Sequence, residues 1–179
     1  YSLLKLEPVL LAVNPQSITI LILLLLSLLI VSFFVSGAEV ALFSLTYRDI
    51  NMLKTKQHPA ARRIITLLDQ PKRLLATLQI ANTFVNIGTI IVTNVLMDEL
   101  LMQPNAFLNF IIKLIIIAFL LVLFGEILPK VSATQNNIRF AYSASLLIEV
   151  LYSFFSSMSR WFVKFTDGIE KSFGGIKHH

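Results

Sequence analysis

Residues 124–130 read FGEILPK and follow the apolar run FIIKLIIIAFLLVL at 110–123. A charge in the middle of a membrane helix costs about 2.5–3.5 kcal/mol on insertion scales, so Glu126 requires a reason. Its neighbours suggest one. Proline has no N–H, so Pro129 leaves the carbonyl four residues earlier, that of Gly125, without its helical donor. The motif therefore sets a freed backbone oxygen beside a carboxylate, with no side chain at Gly125 to obstruct approach. A bulge or kink at Pro129 would aim both oxygens sideways out of the helix. Two oxygens converging inside a membrane helix suit a hard cation. The competing reading is a plain proline kink with Glu126 paired to Lys130.

Two other apolar segments carry polar pairs at helical spacing. Ser32 and Ser36 in SFFVS are four apart, as are Asn82 and Asn86 in ANTFVN, so each pair shares one helix face. A lone serine in a membrane helix usually bonds its own backbone, whereas an unpaired amide in lipid costs several kcal/mol, of order 2–7. Hydroxyl, amide, carboxylate and freed carbonyl make an all-oxygen donor set, favouring Mg²⁺, Ca²⁺ or Na⁺ over softer metals. With one carboxylate among them, a divalent ion would bind modestly and leave readily. Glu39 in SGAEVAL lies one turn from Ser36 and is expected either to attract ions or, preferably, to pair with Lys130 as a lock. Lys113 lies near the opposite end of its segment, where it can snorkel to water.

The elements that must position these residues follow from hydropathy. Of 179 residues, 56% are hydrophobic and 14% charged, against about 25% charged in water-soluble domains. The expected fold class is an all-α membrane protein with three transmembrane helices, a cytoplasmic helical hairpin and an amphipathic juxtamembrane helix. Residues 1–16, broken by Pro8 and Pro15, are read as an extracytoplasmic interfacial segment. Residues 17–140 form the transmembrane domain: a first span from Ser17 through SGAEVALFSL, a hairpin over 47–72 divided near His58-Pro59, a second span over about 74–97 and a third over about 106–131. Over 141–170, Leu147, Leu151, Phe154, Met158, Trp161 and Phe165 recur at steps of three and four, which predicts one amphipathic helix lying at the membrane surface. Residues 171–179 are read as a truncated linker ending in a tag remnant, His178-His179.

Seven of the fifteen basic residues lie between 46 and 73, while the acidic 98–105 loop has none. The positive-inside rule then places the hairpin and the carboxy terminus in the cytoplasm, with the amino terminus outside, in a cell inner (plasma) membrane. Basic charge clustered at membrane flanks, with no aromatic residue interleaved beyond Tyr47, argues against nucleic acid. The chain has no cysteine, and His58 is the one histidine outside the terminal pair, so zinc or histidine-based catalysis has almost nothing to work with. No enzyme activity is expected, and a single dehydrating site suits occlusion better than rapid channel conduction.

In combination, SFFVSGAE (32–39), Asn82 to Asn86 and Gly125-Glu126-Ile127-Leu128-Pro129-Lys130 resemble the transmembrane domain of the CorC/cyclin-M (CNNM) family of magnesium transporters. The resemblance covers roughly 17–170. It implies a homodimer in the lipid bilayer, a belt-like juxtamembrane helix and Mg²⁺ export coupled to Na⁺ entry, with cytoplasmic CBS domains after the membrane part; the chain is read as an excised membrane domain. Carried over by position, the ligands of the transported ion would be Ser32, Ser36, Asn82 or Asn86, the Gly125 carbonyl and Glu126, supported by Glu39, Pro129 and Lys130. Many members have proline before the Gly-Glu pair, where this chain has Leu123-Phe124, so less distortion is expected on that side of Gly125. SGAEVALFSL is also similar to a gliding-motility-associated subgroup, implying assembly rather than bulk flux. The alternative function is thus a structural or regulatory membrane protein with a sensing or vestigial cation site.

Overall fold

In the computed structural model, residues 15–101 and 104–174 are described, and they are helical throughout apart from short joints. Of the 1–16 segment only residues 15–16 are described, and of the 171–179 tail residues 171–174, in both cases as helix; the rest of each lies outside the described residues. Helix α1 (Pro15–Phe43) has 29 residues, about 43 Å at 1.5 Å per residue, longer than the roughly 30 Å of hydrocarbon it has to cross. Its buried residues, Leu29, Ser32, Val35, Ser36, Gly37, Ala38, Ala41 and Leu42, all lie in its second half. Most are small, which lets neighbouring backbones approach closely where lipid removes any hydrophobic drive to associate. The first half, with Ile20, Leu23 and Leu26 exposed, is left to lipid.

Helices α2 (Tyr47–Thr55) and α3 (Pro59–Leu68) form the hairpin. The joint falls at His58-Pro59, where proline disfavours helical geometry in the residue before it and His58 is extended, φ −72° and ψ 135°. His58 becomes the N-cap of α3, its Nδ1 accepting from the Ala60 N–H, and its ring stacks on Tyr142 at 5.4 Å. Thr46 and Asp49 make a reciprocal capping box at the start of α2. The Thr46 N–H and hydroxyl, both donating to its Oδ2, hold the Asp49 carboxyl below the usual carboxylate range. The box therefore contributes fully above the ordinary aspartate pKa and is lost as pH falls through the depressed one. The protection factor of the α2 amino-terminal amides, exchange corrected for its intrinsic pH dependence, is expected to fall only below about pH 4, and in Asp49→Asn to be low at every pH.

Helix α4 (Pro71–Leu100) is the second span. Leu74, Thr77, Leu78, Ala81, Val85, Thr89, Val92, Thr93, Leu96 and Met97 form one buried stripe at steps of one, three and four. The third span runs from Ala106 to Gln135 as α5 (Ala106–Val122), a π-helical turn (Leu123–Ile127) and α6 (Leu128–Gln135). Among the described residues three helices are thus long and apolar enough to cross a membrane, as expected. All of α5 is without a buried residue; the third span is held to the bundle at Gly125, Pro129 and Ala133.

The single juxtamembrane helix expected over 141–170 is two helices, α7 (Asn137–Phe154) and α8 (Ser156–Gly174), bent by 74°. The break is at Phe155, whose φ of −92° and ψ of 11° leave the helical well. The large-residue stripe also faces outward: Phe154, Met158, Trp161 and Phe165 are exposed. What packs inward from α7 is Phe140, Ala141, Ala144, Ser145 and Ile148. In lipid the bulky apolar residues belong outside, and the small ones decide which face meets another helix. The Phe140 ring lies so close over Gly37 that a Cβ there would sit 2.1–2.9 Å from three of its carbons. Helix α8 then runs back along α4, joined by Phe84–Phe155 ring contact at 5.6 Å, a Thr77–Ser159 hydroxyl pair at 2.5 Å and Lys72–Asp167 at 3.2 Å.

Candidate cation site

Three segments converge in the half of the bundle nearer the hairpin. From α1 come Ser32 and Ser36, 1% and 2% exposed. From α4 come Asn82 and Asn86, and from the π-turn Gly125 and Glu126. Ser36 Oγ donates to Asn82 Oδ1 at 3.2 Å. A Cβ on Gly125 would lie 3.2 Å from Ser32 Oγ and 3.9 Å from Asn86 Oδ1, so these two oxygens flank the bare backbone of the turn. Both are buried and neither has a hydrogen-bond partner. Leaving two such oxygens unsatisfied in a membrane interior costs about 1–3 kcal/mol each, and a ligand supplying positive charge would recover it.

The backbone at the turn departs from α geometry although Leu123-Phe124, and no proline, precede Gly125-Glu126. The Leu128 N–H bonds the Leu123 carbonyl, five residues back. The donor absent at Pro129 is the one owed to Gly125 in the α register or to Phe124 in the π register. The distortion expected to weaken at Leu123-Phe124 is therefore centred there.

Glu126 is placed differently from the others. Its Oε2 lies 2.8 Å from Lys130 Nζ, and both side chains are about half exposed, 46% and 48%. The expected Glu39–Lys130 lock is not formed, because Lys130 takes the carboxylate one turn away on its own helix, the pairing that orders least chain. Glu39 instead accepts from Gln79 Nε2 at 2.9 Å. Lys113 does more than snorkel: it is ion-paired to Asp98, tying the far ends of the second and third spans. Among the described residues no three His, Cys, Asp or Glu side chains gather into a metal-binding group, so carbonyl, amide and hydroxyl oxygens would carry the coordination.

One feature of α4 goes beyond the asparagine pair. Gln79, Asn82, Asn86, Thr89 and Thr93 follow at steps of 3, 4, 3 and 4, a polar stripe along most of the span. Thr89 and Thr93 are 1% and 2% exposed; Thr89 Oγ1 bonds the Val85 carbonyl, and Thr93 Oγ1 has no partner. The stripe is visible in the sequence as spacing, but threonine so often bonds its own helix that composition does not single it out.

Residues 21–179 match the family model of the cyclin M transmembrane N-terminal domain. The chain belongs to this family. Curated relatives of this cyclin M domain include a UPF0053 protein of Mycoplasma genitalium, 34% identical over 144 residues, covering 78% of this chain and 33% of the relative. The UPF0053 inner membrane protein YfjD of Escherichia coli is 28% identical over 126 residues, 68% of this chain and 27% of that protein. A UPF0053 protein of Haemophilus influenzae is 26% identical over 137 residues, 76% and 31% respectively. The chain thus spans about a third of the length of the curated relatives it matches. With its three apolar spans, this cyclin M domain is an integral membrane protein of all-α fold.

Proposed function

We propose that the domain carries Mg²⁺ across the membrane, exporting it in exchange for Na⁺, with the hairpin and carboxy terminus on the cytoplasmic side of a cell inner membrane. The observation that supports this most is the pair of buried, unpartnered oxygens, Ser32 Oγ and Asn86 Oδ1, on either side of Gly125. Asn82 already accepts from Ser36, so Asn86 is the asparagine we assign as a direct ligand, with Asn82 orienting Ser36. Glu126 supplies the charge. Its ion pair with Lys130 is half exposed, of a kind worth about 0.3–0.5 kcal/mol, so exchange of Lys130 for a dehydrated divalent ion meets little resistance. A homodimer, and CBS-type cytoplasmic domains acting on this one, complete the reading. It involves no catalysis.

The test is Mg²⁺ flux in proteoliposomes under opposed Mg²⁺ and Na⁺ gradients. Flux that depends on the Na⁺ gradient is expected. Asn86→Ala should weaken apparent Mg²⁺ affinity at least about tenfold, the value of one hydrogen-bond-strength contact to a charge, and Asn82→Ala less. Absence of flux, together with Mg²⁺-dependent protection against unfolding, would favour a second reading. In that reading the domain senses the cation without moving it, and the Glu126–Lys130 pair is its resting lock.

A further inference from the structure

On the hairpin side, away from the cation site, a cavity of about 480 Å³ opens between α3, the start of α4 and the α7–α8 joint. Three arginines line it, Arg62, Arg63 and Arg73, against one carboxylate, Glu149. Glu149 is already engaged, 3.2 Å from Arg63 Nε. Arg62 is exposed, and among the described residues no side chain pairs with its guanidinium. Arg73 is held over the Tyr152 ring at 4.8 Å, and its Nε is buried without a hydrogen-bond partner. Ser153 and Ser156 add two hydroxyls to the wall.

Each feature asks for the same guest. Arg62 and Arg73 line the same cavity with no carboxylate of their own, Arg73 donating only to Gln70 Oε1 at 3.5 Å among the described residues, so positive charge there is in excess and favours an anion. Their planar forks match an oxyanion with several oxygens. A buried Nε with nothing to donate to is costly until an acceptor arrives. Arg73 is the third residue of a membrane-spanning helix, which sets the cavity at headgroup depth, where basic pockets between helices take phosphate headgroups. We propose that this cavity binds a phosphate-bearing anion, supplied by an anionic phospholipid headgroup or by a soluble phosphate. The ligand would brace the hairpin against the bend at Phe155, both of which contribute walls. The inference does not depend on Mg²⁺ transport.

Thermal unfolding of the chain in detergent micelles tests it, with three probes: dioctanoyl phosphatidylglycerol, dioctanoyl phosphatidylcholine and sodium pyrophosphate. A rise in Tm of about 3 °C with phosphatidylglycerol and none with phosphatidylcholine is expected for a lipid headgroup. A comparable rise with pyrophosphate alone assigns the site to soluble phosphate. In Arg62→Gln, which removes an exposed, unpaired side chain, half-maximal protection should need about tenfold more ligand. Arg73→Gln, compared at its own baseline Tm, should do the same. No protection by either anion would overturn the proposal, as would equal protection by phosphatidylcholine, or protection unchanged in both variants.

Discussion

Glu126→Ala is expected to lower Mg²⁺ flux by at least about a hundredfold while leaving the fold intact. The carboxylate is the only formal negative charge on the π-turn, and the other oxygens we assign to the ion are neutral. Removing the one charged partner of a desolvated ion typically costs about 3–5 kcal/mol, two orders of magnitude or more in occupancy. The same change costs little stability, because the side chain is half exposed and its pairing with Lys130 is local. Glu126→Gln, which keeps an oxygen but no charge, should fall between. Lys130→Gln should move the other way, tightening Mg²⁺ by about twofold, the worth of the pair it dissolves. Flux at the wild-type level in Glu126→Ala would place the ion elsewhere.

Gly37→Val is expected to lower Tm by about 10 °C. Even a Cβ at this position would sit 2.1–2.9 Å from the Phe140 ring, and real contacts of that length do not occur. A ring edge can often swing away, but this one is 9% exposed and held between Phe33 at 5.7 Å and Phe34 at 5.9 Å. Overpacking of this kind costs about 1–3 kcal/mol, and valine's extra methyl groups put it at the upper end. Gains in helix propensity over glycine, well under 1 kcal/mol for valine, do not offset that. Phe140→Ala should recover part of the loss in the double variant, although alone it opens a cavity worth about 3–5 kcal/mol. A Tm in Gly37→Val equal to wild type, or a double variant no better than the sum of the two, would mean that α7 docks on α1 by other contacts.

How much of this could be read from the chain alone depended on the range of the interactions. The three spans were legible because twenty apolar residues have few alternatives, and the hairpin joint because His58-Pro59 constrains its own backbone. The meeting of Ser32, Asn86 and Gly125 was approachable through spacing: polar residues four apart in apolar helices need inward partners. Partner choice was not. Glu39 with Gln79 depends on side-chain reach across helices, which hydropathy does not encode, whereas Glu126 with Lys130, four apart on one helix, was already the competing reading of the motif. The bend at Phe155 was hidden because periodicity averages over a joint of one residue. The outward face of Trp161 and Phe165 was hidden because a stripe says which residues lie together, and only the solvent says which way they look. The π-turn formed without a preceding proline because the missing N–H at Pro129 suffices to unsettle the register.

The stripe on α4 reaches beyond the site it helps to build. From Gln79 to Thr93 its oxygens are spaced three or four residues apart, so no step between rungs exceeds about 6 Å along the helix axis. Fourteen residues at that rise cover about 21 Å, most of the hydrocarbon thickness. Under the proposed transport, a cation stripped of water at Asn86 would meet the hydroxyls of Thr89 and Thr93 in turn on its way to the opposite face. Thr93 Oγ1, still without a partner, is the last rung before the Asp98–Lys113 clasp. One helix could thus serve as both the anchorage for the ion and the ladder out.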